Sequence, residues 1–162
     1  MALTSSEVRV GVSGEVSVGP TGTTAPTDAS TALNAGFIGL GYISDDGITE
    51  TVDRSVDDIT AWQNATVVRS IVTEAKVTYE FTLIQTNVDV IEFVTGATVT
   101  QSAPMGTYTM DPAATGGRKS FVFQIIDGAQ LKRIYVAEGE ITERGEITYA
   151  SGEPIGYAVT IQ

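Results

Sequence analysis

The sequence predicts a mainly β, α+β fold: a β-sandwich or barrel of about eight strands with one short flanking helix. Three observations carry this. Between residues 75 and 83 the odd positions are Ala75, Val77, Tyr79, Phe81 and Leu83, and the even ones Lys76, Thr78, Glu80 and Thr82. Such strict alternation gives one buried and one wet face of a sheet. Directly after it, Thr86 with Asp89 three residues on makes a capping-box-like start, Val90, Phe93 and Val94 form a stripe at helical spacing, and Gly96 closes the end. That predicts a helix over about 86–95, packed on the face of the preceding strand. Finally, glycine and threonine are frequent and leucine is scarce, which favours strands over a helical bundle.

The other elements follow in order. Residues 1–6 read as a flexible N-terminal arm, with neither the basic nor the apolar region of a signal peptide. Val8, Val10, Val12, Val16 and Val18 alternate with polar residues and glycine, a long amphipathic strand with Gly14 as its weak point. Residues 19–28, rich in glycine, proline and threonine, form a loop. Gly36, Gly39 and Gly41 interleave with apolar residues, but not in the spacing of a dinucleotide fingerprint, so they read as tight bends beside a core. Residues 44–63 are the most polar region and read as a long loop, with a turn at Asp45-Asp46-Gly47 and a short strand at 48–52. A loop of that length with one aromatic, Trp62, near its base is a candidate partner contact.

Beyond the helix, residues 97–101 suggest a short strand and 104–115 a loop or edge strand. Residues 119–127 and 130–137 flank Gly128-Ala129, a two-residue hairpin turn. Glu138, Glu140, Glu143 and Glu146 surround Ile141 and Ile147. Ile155, Tyr157, Val159 and Ile161 alternate in a last strand that needs a neighbour, in this chain or another. No repeat or linker divides the 162 residues, which suit a single domain.

Composition excludes much chemistry. Cysteine and histidine are absent, so disulfides, thiolate catalysis, Cys/His zinc sites and a Ser-His-Asp triad cannot form. The acids at 45–58 lack the spacing of a calcium loop. Carboxylate pairs of the glycosidase kind are undefined without geometry, and Lys119 and Ser120, adjacent on a strand, point to opposite faces. No catalytic, metal-binding or cofactor-binding residue is expected. No apolar run reaches membrane-spanning length. A net charge of −11 argues against gripping nucleic acid, and it suits either plain solubility or a wall that DNA slides past.

Three stretches in order then carry a resemblance: GFIGLGYISDDGITET (36–51), DDITAWQNATVVRSIVTEAKVTYEFTLIQTNVDVIEFVTG (57–96) and GEITYASGEPIGYAVTIQ (145–162), about half of the chain. Together they resemble the major tail proteins, or tail tube proteins, of long-tailed bacteriophages, particularly siphovirus-type phages of actinobacteria. The resemblance implies a structural virion protein, assembled in the host cytoplasm, whose β-sandwich with one flanking helix forms six-membered rings. Each subunit would lend strands to a continuous barrel, and stacked rings would make a hollow tube through which the genome leaves without specific binding. Implied partners are further copies of the chain, a tape-measure protein, a baseplate and a tail terminator, with no membrane. Family members often run past this last strand, so a compact or a shortened member is expected.

The resemblance also implies that the loop at 44–63 reaches a neighbouring subunit or ring, through Asp45, Asp46, Asp53, Arg54, Asp57, Asp58 and Trp62. For the tube's lumen the candidates are Lys76 and Glu80, on the even face of the central strand, with Glu138, Glu140 and Glu146. The alternative is a monomeric β-sandwich module binding a carbohydrate or a receptor. An acid-rich hydrolase ranks last.

Overall fold

A computed structural model describes residues 3–162 and has the mainly β class with one short helix. In chain order its elements are β1 (Ser13–Pro20), β2 (Ile38–Gly39), β3 (Ile43–Thr60), β4 (Val67–Leu83), α1 (Val88–Thr95), β5 (Thr100–Ser102), β6 (Met105–Thr107), β7 (Lys119–Asp127), β8 (Gln130–Gly139), β9 (Ile141–Arg144) and β10 (Tyr157–Ile161). Two four-stranded sheets, ordered β2-β1-β7-β8 and β3-β4-β10-β9, are antiparallel throughout, and β5 and β6 make a small separate ribbon.

The central alternation does what a half-buried strand requires. Tyr79, Phe81 and Leu83 are buried while Glu80 is exposed. The last strand finds its neighbours within this chain, lying between β4 and β9 with Tyr157, Val159 and Ile161 buried. Facing them from the first sheet are Val16, Val18, Phe121 and Phe123. Phe123 is the hub: its ring stacks on Tyr79 at 4.6 Å and meets Phe81 edge-on at 5.9 Å. The helix closes one side of this core with Val90, Phe93 and Val94, and Phe93 meets Phe121 edge-on at 5.9 Å. The chain passes from sheet to sheet at Gly139, where a Cβ would stand 2.9 Å from Ile161 Cγ2.

Several expectations need correction. Residues 44–63 are not a loop. Ile43–Thr60 is a strand paired along almost all of β4, so the two make one long hairpin. The turn expected at Asp45-Asp46-Gly47 is a bulge inside that strand, where the register jumps from Ile43 to Ile48 and Gly47 takes φ 74°. The first strand begins at Ser13 rather than Val8. Val10 and Val12 only trail along β7 through single hydrogen bonds, from Val10 N to Asp127 Oδ2 and from Val12 N to Ile126 O. Of the expected N-terminal arm, residues 1–2 lie outside the described residues, and Ser5–Glu7 forms a 3-10 turn. The helix cap is Asn87, whose side chain accepts from Val90 N at 2.8 Å. Thr86 instead shares a 3.0 Å hydrogen bond with the Tyr157 hydroxyl.

Residues 21–37 are fastened over the outer face of the first sheet. Arg133 on β8 donates to the carbonyls of Asp28 and Thr31 and to the Gln124 side chain, and Tyr135 donates to Thr23 O. Within this segment the Asp28 carboxylate accepts from Thr31 and Ser30, side chain and backbone of each.

Truncating Phe123 to Ala removes the ring that joins the two sheets and costs about 3–5 kcal/mol, read as a lower denaturant midpoint in equilibrium unfolding. Asn87→Ala costs about 1 kcal/mol by the same measurement, the loss of a helix N-cap. The hydrogen bonds from Thr31, then Ser30, hold the Asp28 carboxyl well below the usual carboxylate range. Its folded value is therefore depressed, and its contribution is full above its ordinary value and fades as pH falls toward the folded one. Local hydrogen exchange around residues 28–31 should rise in that acid window. Asp28→Asn should raise it at neutral pH and abolish the acid dependence.

Candidate functional site

The hairpin of β3 and β4 outruns the sandwich. Strand β10 pairs with β4 only from Tyr79 to Leu83, so residues 67–78 have β3 as their sole partner. At about 3.3 Å per residue these twelve positions carry a two-stranded arm ~40 Å beyond the packed core.

Which side chains share a face follows from the register, since directly opposed residues lie together. The core face of Tyr79 and Phe81 continues outward as Val52 with Val77, Arg54 with Ala75, and Val56 with Val72. The register slips between Ser55 and Val56, which leaves Thr73 unopposed and keeps valines on that face. Here Val52 is 67% exposed, Val56 48%, Val72 44% and Val77 39%. The core's apolar surface thus runs on, uncovered, along the arm. At its root the Tyr79 hydroxyl donates to Glu50 Oε1 at 3.2 Å, and burial, then the Glu50 charge, pushes that phenol above its ordinary pKa.

The reverse face is polar. It presents Thr51 with Thr78, Asp53 with Lys76, and Ser55 with Glu74. Lys76 lies 3.8 Å from Asp53 and 3.7 Å from Glu74, exposed pairs worth little to stability. At the tip, residues 61–66 close the hairpin with Ala61 N donating to Thr66 O, and Asn64 and Ala65 take positive φ. Trp62 stands there 98% exposed.

The structure therefore separates the residues expected to make the inter-subunit contact. Asp45 and Asp46 sit in the bulge at the arm's base. Asp53 and Asp57 lie on the reverse face, Arg54 and Asp58 on the valine face, and Trp62 at the tip. Asp58 accepts a hydrogen bond from Ser70 across the ribbon. Sequence reasoning places Trp62 near the base of a loop; pairing puts it at the far end of a strand. The valine stripe escapes such reasoning, because slips in register break the alternation that would have announced it.

The lumen candidates do not share one surface either. Lys76 and Glu80 lie together on the outer face of the second sheet. Glu138 belongs to the other sheet and pairs with Arg118 at 3.1 Å. Glu140 stands at the crossover before β9, and Glu146 follows β9. A further acid, Glu143, joins Glu80: it opposes Thr160, which opposes Glu80, so the two acids flank one threonine on the same face. A bulge at Thr142 turns Glu143 outward, which simple alternation from buried Ile141 would not suggest.

No helix among the described residues is long and apolar enough to cross a membrane. No individually curated protein matches the chain. The family model of the phage tail tube proteins matches residues 1–162. An all-antiparallel sandwich with an uncovered hairpin arm, matched from first residue to last, belongs to the phage tail tube protein family, a structural component of the phage tail.

Proposed function

We propose that the chain polymerises as stacked six-membered rings into a tail tube, a negatively lined conduit through which the genome enters the host. The observation that carries this reading is the arm. A ribbon of two strands is marginal by itself in water. This one bears an apolar face continuous with the core and uncovered along its length, so a second copy is its natural cover. No catalytic, metal or cofactor role is assigned. The tape-measure protein, baseplate and tail terminator are the other partners of this reading, with assembly in the host cytoplasm.

The bore-facing surface in this reading is the outer face of the second sheet. The first sheet's outer face is already occupied by residues 21–37, whereas the second offers threonines with Glu80 and Glu143. Lys76 is flanked by Asp53 and Glu74, which mutes its attraction for a polyanion. Glu140 and Glu146 stand at the β9 margin of that face, and Glu138 lies beyond it.

Electron microscopy of concentrated protein, alone and with the other tail proteins, tests this. Rings or tubes are expected, and small featureless particles under every condition would refute the reading in favour of a monomeric binding module. Val56→Thr with Val72→Thr, which keeps the β-branch and adds no charge, should raise the concentration needed for tubes while shifting the unfolding free energy by no more than about 0.5 kcal/mol per site.

A further inference from the structure

At the arm's base the two sheets part. Between them lies an open cleft of about 890 Å³. Its walls are Gly14 and Ile125 from the first sheet and Ile48 from the second, and its floor and lip are rich in glycine, at Gly11, Gly39, Gly41 and Gly47. A Cβ at Gly47 would meet nothing within 4 Å, whereas one at Gly14 would stand 3.1 Å from Gln124 O and 3.9 Å from Ile48 Cδ1 on the facing sheet, so the sheets close at Gly14 and part toward Gly47. The cleft is therefore open on the Gly47 side and part apolar, with the Glu15 and Gln85 side chains lying over Gly39 and Gly41. Its charged lining residues are Glu15, Asp45 and Asp46, all acids, with no lysine or arginine.

The arm's tip has the complementary character. Residues 59–69 include Ile59, Trp62, Val67 and Val68 and carry a single charge, Arg69. Acids stop at Asp58 on one strand and do not return until Glu74 on the other. Arg69 makes no ion pair among the described residues. Ile59 is 46% exposed, Val68 62%, and Trp62 almost wholly so. An indole buries about 150–250 Å² when it finds a pocket, and tryptophan and arginine dominate the energetics of protein interfaces. The tip cannot fold back to its own cleft, because the paired ribbon holds it at the opposite end of the arm.

We infer that the hairpin tip of one copy seats in the cleft of a second copy. Trp62 enters from the open Gly47 side, against Ile48 and Ile125, and Arg69 faces Glu15, Asp45 and Asp46. This rests on the tube reading and adds to it the address of the arm. It also gives the bulge at 44–47 a purpose, since that bulge sets two carboxylates on the rim of the site that receives a neighbour's tip.

Trp62 is the chain's sole tryptophan, so its fluorescence reports this contact directly. Emission should be solvent-like in dispersed subunits, and blue-shifted and shielded from acrylamide in tubes. Trp62→Ala and Arg69→Glu should each raise the concentration needed for tubes by about tenfold or more, the size of a hot-spot loss. Because the chain has no cysteine, Gln63→Cys and Ser44→Cys subunits can be mixed, assembled with unmodified chain and oxidised; a band linking the two variants is expected. Tubes whose Trp62 stays as quenchable as in subunits overturn the inference and leave the tube reading intact. So does a shielded Trp62 without the mixed cross-link, since another surface then holds the tip. Failure of the unmodified chain to form tubes under any condition overturns both.

Discussion

The inner face of the second sheet is longer than the layer that covers it. Over Tyr79, Phe81 and Leu83 the first sheet and the helix exclude water, and farther out nothing in the same chain does. Each half-exposed valine on the arm keeps apolar area in water at about 25 cal/mol per Å², so the isolated subunit holds a reserve of surface free energy that only another molecule can release. The strand edges add to this. Beyond Tyr79, β4 has one edge and β3 another that pair with no further strand among the described residues. The arm is thus an element whose stability is deferred to assembly.

Charge is distributed in keeping with that division of labour. The chain carries −11 overall, yet the tip holds no acid between Asp58 and Glu74, and the charged residues lining the cleft are all acids. The outer face of the second sheet combines threonines with a few carboxylates, hydrated but not adhesive toward a polyanion. Meanwhile the first sheet's outer face is sealed by residues 21–37 through Arg133, which leaves the two sides of the sandwich unequal. A subunit with one sealed and one open face has a defined orientation in any closed ring, because the two sheets cannot exchange roles.

What the sequence disclosed follows from where burial is strong. Residues 79–83 and 157–161 pack against a core and alternate strictly, while 119–127 are an apolar-rich run buried on both faces before a Gly-Ala turn, and all three strands are legible. The helix is legible too, although Thr86 looks as good a cap as Asn87 until its hydroxyl is found engaged by Tyr157. Residues 44–63 resemble a loop because aspartate, glycine and serine disfavour strands and no water-shielded face imposes a period of two. Their strand is held by pairing with β4, a long-range fact invisible in a local pattern. Slips in register at Thr73, Val68 and Thr142 then exchange faces, so that even correct strands misplace their side chains. The anchoring of residues 21–37 depends on Arg133, about a hundred residues away, and no local signal announces it.

The polar residues on the valine face explain how such an arm can exist in solution at all. Arg54 and Asp58 interrupt the stripe at intervals, and the register slips kink and twist the ribbon between them. Edge strands of natural proteins are guarded against indiscriminate pairing by this combination of inward charge and bulge. Covering the stripe with an arbitrary apolar surface would bury Arg54 without a counter-ion, which costs several kcal/mol and cancels the gain from the valines. A surface that offers a carboxylate at that point avoids the penalty. The same charges that guard the ribbon against indiscriminate pairing therefore also restrict which apolar surfaces can cover it.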